Sequence, residues 1–204
     1  MIDLQCPIKP KSWGADKGLI YYTQLFGEND LDYSLLGLKG HNGIDYRTTH
    51  FDKGEAPVMA AHDGEVISDP DIQSDTAGRF VKILSDETMI GSHKCKIMTL
   101  YFHLSKCKRQ LGEKVKKGML IGIAGNTGGF TSGPHLHFGM YPLLKQPDGS
   151  YKKDDTNGYD GAIDPMPYFN DNQVMVQGWG WFKKYYVNRK SLPREEAYKF
   201  IKNV

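Results

Sequence analysis

The chain has 204 residues, which is enough for one substantial domain with an appendage and too few for two equal domains. Its formal net charge of +2 and pI of about 8.3 carry no strong polyanion-binding signal, so composition argues against nucleic acid as a partner. The 23 glycines, the 12% aromatic content and the lack of a dominant helical period favour a β-rich chain with many turns.

Residues 1–37 are predicted to form a loop-rich lead-in, with early prolines, several glycines and an aromatic cluster at Tyr21, Tyr22 and Phe26. The N-terminus lacks a basic segment followed by an apolar stretch, so it predicts no secretory signal. No apolar run in the sequence approaches the length of a membrane span. We therefore expect synthesis in the cytoplasm and no membrane span.

Short strands separated by turn signals are predicted through the middle of the chain. They are Pro57–Ala61, Gly64–Ser68, Phe80–Leu84, Lys96–His103, Met119–Ala124 and His135–Tyr141. Because no helical segment lies between them, an antiparallel sheet folded on itself is favoured over βαβ units. The predicted fold class is all-β.

The end of the chain changes character. Residues 143–160 are polar and turn-rich, which predicts a surface excursion, and residues 170–204 form an aromatic and basic extension. A short terminal helix is predicted there, with Ser191 as its N-cap. Five aromatic residues of the extension could stack on a sugar ligand, but packing onto the sheet is favoured. They are Trp179, Trp181, Phe182, Tyr185 and Tyr186.

Cysteines and most histidines need no special role. The three cysteines are widely spaced without a CxxC pair, so free thiols are predicted rather than a disulfide framework or a cysteine zinc site. They are Cys6, Cys95 and Cys107. His50, His62 and His93 are predicted as ordinary surface or turn residues, the commonest situation for an isolated histidine.

Two pairs of residues that contain histidine do not fit this ordinary role. His41 and Asp45 are four residues apart in "GHNGID", a spacing that puts both side chains on one face of a strand or helical turn. His135 and His137 in "HLH" are two apart, so on a strand they leave from the same face. A catalytic zinc site takes three nitrogen or oxygen ligands and keeps one position open. His41, Asp45 and one histidine of "HLH" supply that set, and the other histidine would lie beside the open position.

His103 is a further candidate, in the strand "TLYFHLS". Alternation predicts that it shares a face with Thr99 and Tyr101, where it could line the same groove as "HLH" or be a simple rim residue. The zinc-protease motif HExxH, which supplies a glutamate base, is absent, so proton transfer would fall to histidine.

Five motifs together resemble the M23 family of zinc metallopeptidases, the lysostaphin and LytM-like peptidoglycan endopeptidases. They occur in the family's order and approximate spacing over residues 38–168, which end in the DP element of "IDPMPYF". The motifs are "GHNGID", "APVMAAHDGEV", "YFHLS", "GEKVKKGMLIGIAGNTG" and "SGPHLHF".

The resemblance implies a role for each candidate. His41, Asp45 and His137 would bind one Zn²⁺ per chain, and His103 and His135 would be the catalytic histidines. It also implies the LytM-like duplicated hybrid motif, an antiparallel sheet or sandwich core whose long loops wall a narrow groove. The substrate implied is a peptide bond in a peptidoglycan cross-link or stem peptide.

The resemblance suggests a division into residues 1–37, a metallopeptidase domain at 38–169 and an extension at 170–204 packed on it. Three segments look longer than in compact family members and are expected to wall the groove. They are "SDPDIQSDTAG", "SDETMIGSHKC" and the excursion at 143–160.

Two rival functions remain at this stage. One is a non-catalytic peptidoglycan-binding or regulatory member of the same fold, although every ligand position is filled here. The other is a sugar-transport phosphocarrier of the glucose-specific IIA type, which "GHNGID" argues against because that protein needs no histidine and aspartate to hold zinc. Without an export signal, we expect a monomeric endolysin or virion component that reaches the wall on lysis, or else a secreted mature form.

Overall fold

Strands dominate this protein, as the composition predicts. A computed structural model describes residues 2–10, 12, 18–169, 174–179, 182–187 and 190–192. Within them, 15 strands join into one large sheet, and every pair of named strands is antiparallel except β1 with β13. No helix in this part of the chain is long and apolar enough to cross a membrane. The all-β fold class is confirmed.

Fifteen strands, one short helix and two 3₁₀ turns make up the described part of the chain. The strands are β1 (Leu19–Gln24), β2 (Ile44–Arg47), β3 (Pro57–Met59), β4 (Gly64–Val66), β5 (Gln73–Ser74), β6 (Gly78–Leu84), β7 (Thr88–Ile90), β8 (His93–Cys107), β9 (Lys114–Val115), β10 (Leu120–Ala124), β11 (His135–Lys145), β12 (Tyr151–Lys153), β13 (Val174–Trp179), β14 (Phe182–Val187) and β15 (Lys190–Leu192). The helices are α1 (Asp30–Ser34) and two 3₁₀ turns at Asp52–Gly54 and Met166–Tyr168.

The sheet order places the longest strands at its centre. The main path runs β15-β14-β13-β1-β2-β11-β8-β6-β4-β9, while β10 pairs with β8 and β3. The strands β5, β7 and β12 extend this path as hairpin partners of β6, β8 and β11. Because β2, β11 and β8 are direct neighbours, side chains at one end of these three strands converge.

The core lies against the middle of the sheet, where a few large aromatic rings pack among aliphatic side chains. Tyr46 on β2, Tyr101 on β8 and Phe138 on β11 are fully buried, with the Phe138 ring 5.3 Å from Tyr101 and 6.5 Å from Tyr46. Truncating a ring of this kind to alanine costs about 3–5 kcal/mol of stability. The three strands that carry the candidate site are therefore fixed from behind by tight packing.

The lead-in at residues 1–37 contains more structure than predicted. It supplies β1, which lies between β2 and β13, and the short helix α1. The loop prediction was wrong there because β1 is buried along its first four residues and so lacks the alternation of a half-exposed strand. The division of the chain at residues 38 and 169 stays a prediction.

The extension continues the sheet beyond β1. Strand β13 pairs with β1 in parallel, and β14 and β15 follow in antiparallel order. Ser191 lies inside β15, paired with Tyr186, so it is not the helix N-cap we predicted. The predicted helix itself falls on residues outside the described part of the chain, as does Trp181, one of the five aromatic residues.

None of the three longer segments contributes a residue to the lining of the cleft beside Asp45 and His135, so the expectation that they wall it was wrong. Residues 68–78 contribute β5 and contact the loop before β11. Residues 85–95 form a hairpin at the other end of β8 from His103, eight residues or about 26 Å away along the strand. The first part of 143–160 pairs as β11 and β12 at that same far end. Strand pairing, which local composition does not reveal, decides these positions.

Candidate metal centre and catalytic histidines

The register of β2 against β11 assembles the candidate site. His137 lies opposite Asp45, and His135 lies opposite Arg47. His41 lies in the loop before β2. Its backbone N–H donates to the Glu28 carbonyl, and its own carbonyl accepts from the Gly27 N–H. These pairings bring the "GHNGID" and "HLH" segments together although they are some ninety residues apart in the sequence.

Three ligand atoms converge at this point. His41 Nε2 lies 3.0 Å from His137 Nδ1 and 3.2 Å from Asp45 Oδ1, and the last two atoms are 2.9 Å apart. All three residues are buried, with 1%, 7% and 9% exposure for His41, His137 and Asp45. Ligands of a tetrahedral zinc ion are about 3.3 Å apart, so this set of two imidazoles and one carboxylate fits that ion with small adjustments.

Neighbouring groups orient each ligand. His41 donates its Nδ1–H to the Leu25 carbonyl at 3.2 Å, which leaves the Nε2 lone pair toward the cluster. The His137 ring stacks on Phe102, with centroids 5.4 Å apart. Burial alone would raise the pKa of Asp45, but His41 and His137 beside the carboxylate hold that pKa below its usual range. Asp45 is therefore an anion at neutral pH, as a metal ligand must be.

Gly43 permits the close approach of β2 and β11 at this centre. A Cβ atom on Gly43 would lie 2.7 Å from His137 Cε1 and 2.6 Å from the Phe138 carbonyl oxygen. Both distances are far below van der Waals contact, so no side chain fits between His41 and Asp45 at this position.

His103 and His135 lie side by side next to the ligand cluster. Their ring centroids are 4.6 Å apart, and His135 Nε2 is 3.9 Å from Asp45 Oδ1. His103 donates its Nδ1–H to the Thr127 carbonyl at 2.8 Å, and His135 donates its Nδ1–H to the Gly133 carbonyl at 2.8 Å. In the neutral form of either ring, the remaining nitrogen, Nε2, carries the lone pair.

A bulge in β8 sets the direction of His103. Tyr101 pairs with Val81 but Leu104 pairs with Arg79, so β8 holds one extra residue here, and His103 has a φ of 62°. The predicted face was therefore wrong: Thr99 and Tyr101 are fully buried in the core, whereas the bulge turns His103 to the histidine cluster. Left-handed backbone at a non-glycine residue stores strain, and such strain is common at functional sites.

His103 is neutral at physiological pH. Burial, helped by the neighbouring His135, lowers the pKa of His103 to about 4. A neutral imidazole in this position can accept a proton at Nε2, which is what a general base requires.

The glycine-rich loop before β11 carries both carbonyl groups that hold these histidines. Its Gly129 N–H donates to Asp75 at 2.7 Å and its Phe130 N–H donates to Thr76 at 3.1 Å, which ties the loop to the β5–β6 hairpin. The roles of Thr127 and Gly133 could not be predicted from sequence, because every residue has the same backbone carbonyl group.

A cleft of about 790 Å³ opens beside Asp45 and His135. Tyr33 from α1 lines it, with its ring 5.4 Å from the His41 ring and its hydroxyl group 3.3 Å from Gln24 Oε1. Burial, and then the charge of Asp45, raise the pKa of Tyr33 above its ordinary value, so the phenol stays protonated. Sequence reasoning missed Tyr33 because α1 was not predicted.

The remaining histidines and cysteines lie away from this centre. His62 lies in the bend between β3 and β4, as predicted for a turn residue, but it is buried, with Nδ1 2.8 Å from the Asp63 carbonyl and Nε2 3.0 Å from Thr99 Oγ1. His50 is half-buried against Phe51, whereas His93 is exposed as predicted. The three cysteines are free thiols, as predicted.

Comparison with known proteins identifies the fold and the family. The model of peptidase family M23 matches residues 39–150, more than half of the chain. Lysostaphin from Staphylococcus simulans has a similar fold, with a TM-score of 0.51 and 24% identity over 73% of this chain and 48% of that one.

Two relatives are named as peptidoglycan or glycyl-glycine endopeptidases. ShyA of Vibrio cholerae, a peptidoglycan DD-endopeptidase, is 38% identical over 98 residues, which are 48% of this chain and 19% of ShyA. ALE-1 of Staphylococcus capitis, a glycyl-glycine endopeptidase, is 30% identical over 137 residues, which are 65% of this chain and 30% of ALE-1. The chain thus spans less than a third of either relative. It belongs to peptidase family M23, as its motifs and its histidine–aspartate cluster indicated.

Proposed function

We propose that the protein is a zinc-dependent endopeptidase that hydrolyses peptide bonds in bacterial peptidoglycan cross-links or stem peptides. The observation that carries this proposal is the convergence of His41, Asp45 and His137 beside two further histidines at the edge of an open cleft. The peptidoglycan endopeptidase names of ShyA and ALE-1 support the choice of substrate.

One zinc ion per chain fits the ligand set. Two imidazole nitrogens and one carboxylate oxygen suit zinc better than the hard cations Mg²⁺ and Ca²⁺, which prefer oxygen ligands alone. A bound zinc ion supplies Lewis acidity, which polarises the scissile carbonyl and makes water a stronger nucleophile. The protein holds the ligands in place through Leu25 and Phe102, so little reorganisation is needed when the ion binds.

His103 and His135 move the protons. With both Nδ1–H groups held by loop carbonyls, each ring presents Nε2 as its reactive nitrogen. One histidine accepts the proton of the attacking water, and the other hydrogen-bonds the developing oxyanion or protonates the leaving amine.

The cleft suits an extended peptide as substrate. It runs along the end of β2 and under the loop before β11, and its lining combines polar side chains with the exposed ring of Phe130. A peptide bound there would place one bond next to Asp45 and His135. Since peptidoglycan lies outside the cytoplasmic membrane, we propose that the enzyme acts there, as a monomer. It would reach the wall as an endolysin released on lysis or as a virion component, or else by export.

Digestion of purified peptidoglycans with different cross-links tests the proposal. The protein should bind one equivalent of zinc, release peptides whose masses locate a single type of cleaved bond, and lose activity when a chelator removes the metal. If the zinc-loaded protein binds walls but cuts no peptide bond in any of them, the endopeptidase function is wrong and the non-catalytic alternative replaces it.

A further inference from the structure

The glycine-rich loop before β11 folds around the hydroxyl group of Thr131, which the proposed reaction does not use. Thr131 Oγ1 lies 2.5 Å from Asn126 Oδ1, across the loop, and 3.0 Å from the Gly133 carbonyl oxygen. A hydroxyl group has one proton to donate, and Asn126 is the nearer acceptor. This contact joins the two sides of the loop, whose base is closed where the His135 N–H donates to the Gly125 carbonyl at 3.1 Å.

The same hydroxyl oxygen also shapes the turn that follows it. The Gly133 N–H donates to Thr131 Oγ1 at 3.4 Å, a contact typical of the turns that threonine side chains form with the backbone two residues on. Gly133 precedes Pro134, and a proline restricts the backbone of the residue before it. The Thr131 hydroxyl group and Pro134 together therefore fix the direction of the Gly133 carbonyl.

This carbonyl points at His135. It accepts the His135 Nδ1–H at 2.8 Å, and Thr131 Oγ1 is a second acceptor, 3.3 Å from the same nitrogen. Both acceptors lie on the Nδ1 side of the ring, so the neutral ring keeps its proton there. The lone pair is then on Nε2, which lies 3.9 Å from Asp45 Oδ1 beside the ligand cluster.

We propose that Thr131 is a positioning residue for His135: its hydroxyl group, tied to Asn126, keeps the imidazole oriented and its proton on Nδ1. This inference rests on the proposed peptidase function, in which His135 moves a proton at Nε2. Without the hydroxyl group the Gly133 carbonyl is free to turn away, and part of the molecules then carry the proton on Nε2. In that form Nε2 has no lone pair, so it cannot accept a proton.

Thr131→Val and Thr131→Ser test this role on soluble peptidoglycan fragments that the parent enzyme cleaves. Valine keeps the shape of threonine without the hydroxyl group, and it should lower kcat about 10- to 100-fold, the cost of a misplaced catalytic group. Thr131 also lines the cleft, so an unchanged KM shows that substrate binding is intact. Serine keeps the hydroxyl group and should restore kcat to near the parental value. Both variants should bind one zinc ion per chain.

Nitrogen NMR of the zinc-loaded protein measures the same effect without relying on activity. Long-range nitrogen–proton correlation spectra at alkaline pH distinguish a ring protonated on Nδ1 from one protonated on Nε2, and His135→Gln identifies the signals. The parent and Thr131→Ser should carry the His135 proton on Nδ1. Thr131→Val should show the Nε2–H form as well, which a loss of stability alone would not produce.

Asn126→Ala tests the other end of the contact. Without its partner the Thr131 hydroxyl group turns to the Gly133 carbonyl, and the two sides of the loop are no longer joined. The variant should lower kcat, and combining it with Thr131→Val should lower kcat no further than Thr131→Val alone, because both residues act through one contact. Since the Asn126 side chain is exposed, this variant keeps the test open if Thr131→Val folds poorly.

Ser150→Ala is the matched control. The Ser150 hydroxyl group also donates to a side-chain oxygen across a turn, that of Asp148 at 2.6 Å, but this turn joins β11 to β12 at the far end of β11 from His135. The variant should keep the parental kcat and the Nδ1–H form of His135.

The possible failures are distinguishable. A Thr131→Val enzyme that keeps the parental kcat, or whose His135 proton stays on Nδ1, overturns the inference and leaves the peptidase function intact. An equal loss in Thr131→Ser also overturns it, because the hydroxyl group then has no part in the effect. A zinc-loaded parent that cleaves no peptidoglycan overturns the peptidase function instead, and the position of the His135 proton alone then decides whether Thr131 holds the ring.

Discussion

Thr127 holds His103 through its backbone and the surrounding strands through its side chain. Its carbonyl accepts the His103 Nδ1–H at 2.8 Å, while its hydroxyl group accepts the Arg79 N–H at 3.0 Å and donates to the Leu104 carbonyl at 2.8 Å. The backbone N–H of His103 donates to Ala77 at 2.9 Å in the adjoining hairpin. The orientation of His103 thus depends on one loop residue, Thr127, which is hydrogen-bonded to both β6 and β8.

Thr127→Val should disturb the orientation of His103 without removing any group that is proposed to take part in the reaction. The valine keeps the shape of the threonine but removes the hydroxyl group, which leaves the Arg79 N–H without this acceptor and should cost about 1–3 kcal/mol of stability. Because the Thr127 carbonyl then shifts, we expect about a tenfold lower kcat with little change in KM and an altered pH profile. Denaturant unfolding and peptide cleavage measure both effects. Thr127→Ser, which keeps the hydroxyl group, should retain activity, and equal loss in both variants would contradict this role.

His137 and His135 should respond differently to removal, because His137 is a proposed zinc ligand and His135 lies beside the cluster. His137→Ala should lose both the zinc and the activity. His135→Ala should keep about one zinc per chain and lose about 10²- to 10⁴-fold in rate, the usual contribution of a general acid or base. Metal analysis of the purified variants, alongside wall digestion, gives the answer. A His135→Ala enzyme that lysed walls at the parental rate would show that His135 is not catalytic.

Spacing in the sequence predicted the pairs of this site but not how they meet. A spacing of two put His135 and His137 on one strand face, and a spacing of four put His41 with Asp45, as the structure has them. The register that sets Asp45 opposite His137 depends on which strands become neighbours, which no local pattern contains. The proposed assignment of His137 as ligand and His135 as catalyst came from the resemblance to a family, because the spacing within "HLH" treats the two histidines alike.

The sequence misled where tertiary pairing overrode local alternation. His103 was placed with Thr99 and Tyr101, yet the extra residue that turns it arises from the pairing of β8 with β6. Strand β1 was missed because both of its neighbours in the sheet come from later in the chain. Both errors share a cause, since a bulge and a buried strand are defined by the strands beside them.

His62 should make stability depend on pH. Burial lowers the pKa of His62 below its ordinary value of 6.5, so the folded chain keeps this imidazole neutral while the unfolded chain protonates it below about pH 6.5. The unfolded state then binds more protons, and the free energy of unfolding should fall as the pH decreases from 7 to 5. Above pH 7 both states are neutral and the effect vanishes.

His62→Gln provides the comparison, because glutamine cannot be protonated. Denaturant unfolding at pH 7.5 and pH 5 should show a smaller decrease for the variant than for the parent, even if the variant is less stable at pH 7.5. The other buried histidines are present in both proteins, so the difference between the two decreases isolates His62. Equal decreases would mean that His62 is accessible to protons in the folded state.

Gly43→Ala should damage the metal centre without touching a ligand. The new Cβ would lie 2.7 Å from His137 Cε1 and 2.6 Å from the Phe138 carbonyl oxygen, both held by strand packing, so His137 must move from the cluster. We expect zinc affinity to fall about 10- to 100-fold, as it does when groups that orient a ligand are lost, with activity falling in parallel. Competition with a chromogenic chelator measures the affinity.

Gly112→Ala is the matched control for general destabilisation. Gly112 has a φ of 81°, so alanine is strained there, but open space surrounds it and the turn before β9 is remote from the cluster. This variant should lose about 1 kcal/mol of stability while binding zinc like the parent. If both variants weakened zinc binding equally, the loss would follow from overall stability, and the close approach at Gly43 would have no specific part in forming the site.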